Sequence, residues 1–533
     1  MDYWLKMSSQ LENAGRGAGT ELSSFGTRAS MFSRSLHDVL SSAIALDARS
    51  FVTYSFESNI PIDPTVIAYP NDYGHPYFLL VADEEGVLHF RNTKSGPPVN
   101  LGSLRVHPNH AILDAKFRPG CSNLQCITAS GDMTCALVDC STQQKVTSFV
   151  GHLQNVRCLS WQKDTQNNVF ISGGRDGHCM LWDLRSGVFY GNHYPVAYLV
   201  NAHTDFVPRQ RIPYRRLFRE APGKYSVNVE KLNAVYTALP DDPTTHRASI
   251  TDIVFQTSYT FLTSGTADSS IRLWDLRKLK PSSEKPQSVL TLKSDSGLPF
   301  TSLALDASRT NLYAACRDGI VYRFDVGPRM HEQPTAQYAG AVISSFYTKC
   351  TLSQDGELLG CGSAGGKGYV FRTRQPEEAP VVLNSATEDE VTEVAFNHWD
   401  PYQVVTASTR ILVWDAGVNA NRSSPNIVAG LAEKDPRGLE ERTPKRPSRD
   451  RTPGTADPRT PTVSSWVRRP SSRENDGSPT RAVGLSPRPN SSLVLKTPNS
   501  QVVPLRRKKR LRNLTLSPYL KARRKPPSPS SKT

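Results

Sequence analysis

Gly151-His152, then Val156-Arg157-Cys158-Leu159-Ser160-Trp161, Phe170-Ile171-Ser172-Gly173-Gly174-Arg175-Asp176-Gly177 and Met180-Leu181-Trp182-Asp183: this stretch decides the fold. It reads as an apolar strand, a turn, and a second strand ending in small residues. A tight Asp-bearing turn follows, then a third strand ending in an aromatic residue and Asp. A second copy runs through His246, residues 250–255, Leu262-Thr263-Ser264-Gly265-Thr266-Ala267-Asp268 and Ile271-Arg272-Leu273-Trp274-Asp275. In both copies the His precedes a β-branched residue by four positions. Each turn Asp has a Ser four residues before it and a Trp six after it.

That spacing is the WD-repeat signature. Weaker copies place Phe90, Val138, Phe324, Phe371 and Trp414 where Trp182 and Trp274 stand. The successive gaps are 48, 44, 92, 50, 47 and 43 residues, and a four-stranded blade needs roughly 40–50. The predicted fold class is therefore all-β: a seven-bladed WD-repeat β-propeller over residues 51–418, with a disordered basic C-terminal tail. His152, Ser172, Asp176 and Trp182 are expected to form one structural tetrad across the strands, and His246, Ser264, Asp268 and Trp274 another. His152 and Asp176 resemble a catalytic pair, but recurrence of the set favours the structural role. The double-length gap predicts an insertion over 194–245 between blades three and four, carrying Arg209, Arg211, Arg215, Arg216 and Arg219. Blade six has Gly365 at the turn-Asp position, and blade seven has a shortened turn before Arg410. The alternation Phe-Val-Thr-Tyr-Ser-Phe over 51–56 is expected to supply the strand that closes the ring.

Charge divides the chain. The 533 residues carry a net +15, but residues 416–533 alone hold 26 Lys/Arg against 8 Asp/Glu. A slightly acidic body thus bears a strongly cationic tail. The nine cysteines all lie in the body, and none forms a C-x-x-C pair. With no signal peptide and no long apolar run, they predict reduced thiols in an intracellular protein without a membrane span. Residues 1–30 read as a disordered extension. Met31, Phe32, Leu36, Val39, Leu40 and Ile44 fall on one stripe of a helix within 31–50. That helix either packs on the propeller's side or docks in a partner's groove.

Residues 419–533 hold 17 of the 39 prolines and no apolar period, which predicts disorder. They contain nine Ser/Thr-Pro steps, of which Thr443 and Ser478 have a basic residue two positions after the Pro. Cyclin-dependent kinases favour that pattern, and each phosphate would add roughly −1.5 to −2 charge. Arg506, Arg507, Lys508, Lys509, Arg510 and Arg512 form a cluster that reads first as a nuclear-import signal, hence a nuclear location. Its second reading is a weak, non-specific DNA contact. A search for catalytic or metal-binding patterns finds no phosphate loop, no nucleophile elbow and no metal-spaced Cys/His set. The expectation is a non-enzymatic protein with no cofactor and no metal, acting by binding.

Blades three and four both end in W-D-L-R: Trp182-Asp183-Leu184-Arg185 and Trp274-Asp275-Leu276-Arg277. Two surface arginines on adjacent blades form a pair capable of bidentate contacts. The doubled W-D-x-R resembles the adaptor-binding signature of substrate receptors for cullin-4 ubiquitin ligases. Residues 82–86, 172–177 and 345–349, with the insertion after blade three and residues 465–472, are similar to the denticleless-type receptors of that class. The resemblance covers residues 31–414 and islands of the tail. It implies a non-catalytic substrate receptor of a nuclear cullin-4 RING E3 ligase, serving replication and the cell cycle. Arg185, Arg277, Asp183, Asp275, Phe32 and Leu36 would contact the damaged-DNA-binding adaptor. The opposite face would hold substrates, such as replication licensing factor, bound to the sliding clamp (proliferating cell nuclear antigen). Asp83, Glu84 and Glu85 are candidates by charge for the basic residues of those substrates. In the tail, Leu516, Tyr519 and Leu520 partly match a clamp-binding box, with Asn513 in place of Gln and Leu520 in place of the second aromatic. The overlapping residues 512–516 match a cyclin-docking pattern. The rival reading is a chromatin scaffold that binds histone tails or DNA without any ligase.

Overall fold

A computed structural model describes residues 36–435 apart from 71–73, 95–97, 121–123, 163–166, 189–190, 200, 204–217, 222–223, 228–248, 279–286, 329 and 417–427. Within it seven antiparallel units stand side by side. Their innermost strands are Pro64–Ala68, Ile112–Phe117, Val156–Trp161, Ile250–Phe255, Phe300–Leu305, Cys350–Leu352 and Glu393–Phe396. Each lies beside the next, and the last lies beside the first, so the ring closes. Phe90, Val138, Trp182, Trp274, Phe324, Phe371 and Trp414 all fall on third strands and are buried.

The core sits between blades. Seven hydrophobic clusters occur among the described residues, and each joins one pair of neighbouring blades. The pair one–seven, for example, shares Ile67, Leu79 and Val81 with Val405, Ile411 and Val413. Strands buried on both faces need not alternate, which is why Val169–Gly174 and Leu358–Gly362 are apolar or small throughout.

Closure differs from the sequence expectation. Blade seven takes its fourth strand from Ile44–Leu46, not from residues 51–56. Ala45 lies opposite Trp414 in that register. The indole occupies the space, so a small residue is required there and a Phe-rich segment is excluded. Phe51 makes only an isolated bridge to Ile411, and Thr53–Tyr54 pairs with Pro61–Ile62 in a separate short hairpin.

Ile44 therefore belongs to a strand, and the described helix is short, Leu36–Leu40. Val39 and Leu40 are buried, and Leu36 packs on the cluster between blades six and seven. This part of the apolar stripe faces the propeller's own side, so Leu36 is turned inward rather than toward an adaptor. His37 Nε2 donates to the Val370 carbonyl at 3.2 Å. Met31 and Phe32 lie outside the described residues.

The propeller also extends past its expected end at 418. Val428–Lys434 forms a strand between Val381–Ser385 of blade six and the closing strand Ile44–Leu46. Sequence periodicity hides it because Ala429, Gly430 and Ala432 are small, and its attachment is mostly backbone. Lys434 Nζ then reaches Asp38 at 2.6 Å and Glu378 at 3.4 Å. Gly430 leaves no room for a side chain, since a Cβ would stand 2.5 Å from the Trp414 ring and 3.0 Å from the Asn384 carbonyl. The insertion is shorter than expected at its start, because Ala197–Leu199 is the outer strand of blade three. Its described part is the hairpin Phe218–Ala221 with Lys224–Val227, and Arg209, Arg211, Arg215 and Arg216 lie outside the described residues.

Gly430→Val should force Trp414 or the strand out of place and destabilise the protein by about 1–3 kcal/mol. Urea unfolding of the two proteins measures this directly, and an unchanged midpoint would contradict the packing described.

Candidate protein-binding faces

Hydrogen-bonded tetrads set the blade corners on one face. In blade three, Trp182 Nε1 donates to Ser172 Oγ at 2.8 Å, and Ser172 Oγ lies 2.7 Å from His152 Nε2. His152 Nδ1 meets Asp176 at 3.0 Å, and Asp176 also accepts the Leu153 and His178 amides. The order Ser–His–Asp is that of a nucleophile relay. Here, however, the Ser hydroxyl is buried beneath an indole N–H, so the set ties strands together. Burial opposes ionisation of Asp176, yet His152 and His178 hold its pKa at about 2.

Blade four uses different residues from those expected. His203 Nδ1 meets Asp268 at 2.8 Å, His203 Nε2 meets Thr263 Oγ1 at 2.8 Å, and Trp274 Nε1 donates to Thr263 at 2.9 Å. The hairpin before Asp268 is one residue longer than in blade three. Counting back from the Asp therefore lands on Ser264, whose side chain points to the other side of the sheet. Ser264 Oγ bonds Thr251 at 2.6 Å instead. His246 lies outside the described residues, and His203 holds its place. Blade two has a further His–Asp–Thr set, with His107 at 2.7 Å from Asp132 and 2.9 Å from Thr128. Val138 replaces the Trp there, which removed the sequence signal. The His107-to-Asp132 spacing was the remaining clue.

On the other face, the third strands of blades three and four end at Asp183 and Asp275. Each carboxylate accepts the backbone N–H two residues on, at 2.9 Å, closing a tight corner. Each also takes one edge of its own arginine, through Nε and Nη2: Arg185 at 2.9 and 3.0 Å, Arg277 at 3.0 and 2.8 Å. The hydrogen bond from Arg277 holds the Asp275 carboxyl below its ordinary range. The arginine forks thus already hold carboxylates, and what they offer outward is their exposed remainder, 43% for Arg185 and 53% for Arg277. Arg277 also lies over the Tyr259 ring at 5.2 Å.

The same corner closes without arginine elsewhere. Asp139 in blade two accepts the Ser141 amide at 3.0 Å, and Asp325 in blade five accepts the Gly327 amide at 2.8 Å. The fold therefore does not require Arg185 or Arg277.

Between the faces runs a central channel with a cavity of about 370 Å³. Acidic residues on its inner strands tie neighbouring blades by accepting backbone amides. Asp114 takes Leu159 N at 2.8 Å, Asp252 takes Leu303 N at 2.7 Å, and Glu393 takes Ile67 N at 3.0 Å. Lys349 reaches Asp114 at 2.9 Å. Asp83 is fully buried and accepts the Glu85 and Val87 amides, and Glu85 accepts Ser55. Asp83 is thus a turn-former and not an exposed charge for a ligand. Among the described residues eight cysteines are buried and none is in a disulfide. His37, Asp38 and Glu378 cluster closely enough to suggest a metal. Lys434 and Arg372 already neutralise the carboxylates, so the donors do not fit one. Thr443, Ser478, the import cluster Arg506, Arg507, Lys508, Lys509, Arg510 and Arg512, and the clamp-box residues Leu516, Tyr519 and Leu520 lie outside the described residues.

Comparison with known proteins finds relatives of the chain as a whole. The family described as "WD domain, G-beta repeat" matches residues 143–183 and 242–275. The chain is 28% identical over 401 residues to denticleless protein homolog A of Xenopus laevis, covering 73% of this chain and 53% of that protein. It is 30% identical over 361 residues to protein lethal(2)denticleless of Drosophila melanogaster, covering 66% and 44%. The denticleless protein homolog of Homo sapiens is 28% identical over 360 residues, covering 66% and 46%. The chain spans about half the length of these curated relatives.

His203→Ala should cost about 1–3 kcal/mol by leaving Asp268 and Thr263 without their partner. His246→Ala should stay within about 0.5 kcal/mol. Equal losses in urea unfolding would contradict the tetrad assignment. A second expectation concerns acid. Asp176 is depressed to about 2 in the folded chain, against about 3.9 unfolded. The stability it contributes is complete above about pH 4 and disappears as pH falls toward about 2. Asp176→Asn should therefore lower stability at neutral pH and flatten the acid limb of the urea midpoint. Asp132, held at about 2 in the same way, keeps its own share of that limb.

Proposed function

From a chain that is a WD-repeat protein of the denticleless type, we propose a substrate-recognition subunit of a nuclear cullin-4 ubiquitin ligase. It presents replication and cell-cycle proteins bound to the sliding clamp for ubiquitination and degradation. It performs no catalytic step of its own. One observation carries this reading: adjacent blades add an exposed arginine to a corner that blades two and five close without one. A residue that the fold does not need, repeated at the same position on neighbouring blades, fits one extended partner surface. The adaptor of the ligase is the partner proposed, engaging the Asp183–Arg185 and Asp275–Arg277 corners.

The basic tail supplies location and timing in this reading. The cluster at 506–512 directs nuclear import, and phosphorylation at Thr443 and Ser478 lowers the tail's positive charge. The partial clamp box at Leu516, Tyr519 and Leu520 adds a contact with the clamp.

The test is capture of the purified damaged-DNA-binding adaptor by the full chain. Arg185→Ala/Arg277→Ala should reduce capture at least about tenfold, because interfacial arginines are frequent energetic anchors. Lys293→Ala, at an exposed cation on the outer strand of blade four, should leave it unchanged. The double variant should melt with wild-type cooperativity, since exposed ion pairs contribute little to folding. Full adaptor capture by that variant would rule out these corners as the docking site.

A further inference from the structure

The face opposite the W-D-x-R corners has a feature that the ligase reading does not use. Three arginines gather at the channel mouth. Arg157 stands at the start of the inner strand of blade three, Arg175 in that blade's hairpin turn, and Arg317 in the corresponding turn of blade five. The loop entering blade six contributes Phe346 and Tyr347. The Arg157 guanidinium lies over both rings, 5.7 Å from Phe346 and 5.6 Å from Tyr347, and Arg317 lies over Phe346 at 4.9 Å. Arg157, Phe346 and Tyr347 all line the channel cavity.

No carboxylate pairs with any of these arginines among the described residues. The nearby acids are already occupied. Asp252 accepts the Ile253 and Leu303 amides and the Ser302 hydroxyl. Asp318 accepts Tyr322, Ser296 and the Ile320 amide. Glu390 accepts Ser345 and Thr348. Arg317 makes one hydrogen bond, to the Ser344 carbonyl at 3.2 Å, while its Nε is buried and unpartnered. Arg157 donates no hydrogen bond among the described residues. Burial lowers its pKa, and repulsion from Arg175 adds to this, while Tyr347 and Asp252 act in the opposite sense.

A half-buried cation such as Arg157 or Arg317 is ordinarily paired, because partial withdrawal from water without an anion carries a cost. Stacking on two rings offsets part of that cost but satisfies no guanidinium N–H. Placing like charges side by side adds to it. Such a site is complete only when an oxyanion enters. We propose that this mouth binds a segment of a partner protein that carries a carboxylate or a phosphate, with the oxyanion held by Arg157 and Arg317 against Phe346 and Tyr347. A peptide is favoured over nucleic acid by its surroundings. Leu298 and Val342, 43% and 58% exposed, flank Arg317 on the loops entering blades five and six, and they suit an apolar residue beside the anionic one.

The test is fluorescence polarisation with the full chain and short labelled peptides. The peptides share a leucine-flanked central position occupied by phosphothreonine, glutamate, threonine or lysine. A single-stranded oligonucleotide is the fifth probe. The phosphothreonine or glutamate peptide should bind at least about tenfold more tightly than the threonine and lysine peptides, and Arg157→Gln should remove that advantage. The tighter of the two identifies phosphate or carboxylate as the source. Arg317→Gln, in a half-buried hairpin turn outside the blade's strands, gives the same answer should Arg157→Gln fold poorly. Indifference of the acidic peptides to both substitutions would overturn the proposal. So would equal binding of the lysine peptide, or loss of oligonucleotide binding alone. Because the adaptor corners lie on the other face, adaptor capture should be unaffected by Arg157→Gln, so either reading can fail without the other.

Discussion

The structure depends on how its ring is closed. A propeller blade needs four strands, and blade seven owns only three in continuous sequence. The fourth comes from Ile44–Leu46, more than 300 residues earlier in the chain. It fits because Ala45 is small enough to lie across from Trp414. Val428–Lys434 then covers the outer edge that this strand would otherwise expose, with Gly430 placed where the indole leaves no space. An open edge invites pairing with other chains, and here both flanks of the propeller are used to remove it. The ion pairs of Lys434 with Asp38 and Glu378 hold the two flanks together.

Inside the ring, polar groups do a job usually left to apolar packing. Asp114, Asp252 and Glu393 accept amides from the next blade's inner strand, so the channel wall is stitched by carboxylates. The tetrads of blades three and four and the His–Asp–Thr set of blade two perform the equivalent task within their blades. All are buried or half-buried, and all have partners, as the cost of an unsatisfied polar group requires. Against that background the arginines at the two faces stand out by their surroundings. Arg185 and Arg277 are bonded yet unnecessary to their corners, whereas Arg157 is stacked yet has no anion among the described residues. The first arrangement suits a surface contact, and the second suits an incoming oxyanion.

The rigid ring gives these two faces fixed separation, and the strand directions decide which residue reaches which face. Third-strand ends carry the W-D-x-R corners, while hairpin turns and inner-strand starts carry the arginine and aromatic cluster. A platform of this kind can hold two partners without either perturbing the other's contacts.

The seven-blade count was legible from the sequence, because Trp182, Trp274, Trp414 and their apolar stand-ins recur at the period a blade imposes. So was the doubled W-D-x-R, since a local turn motif needs only neighbouring residues. The tetrad of blade four was legible only in part: one extra residue in a hairpin reverses which side chain faces His203, and spacing counted from Asp268 could not register it. The inward packing of Leu36 was one of the two readings that its apolar stripe allowed, but the closing strand and the return of Val428–Lys434 were not legible at all. They rest on backbone hydrogen bonds and on small residues, which carry no periodic apolar signal. The same holds for Arg157, which pairs with no carboxylate among the described residues. A sequence shows which charges exist, but only the tertiary structure shows that every nearby carboxylate is already occupied by an amide or a hydroxyl.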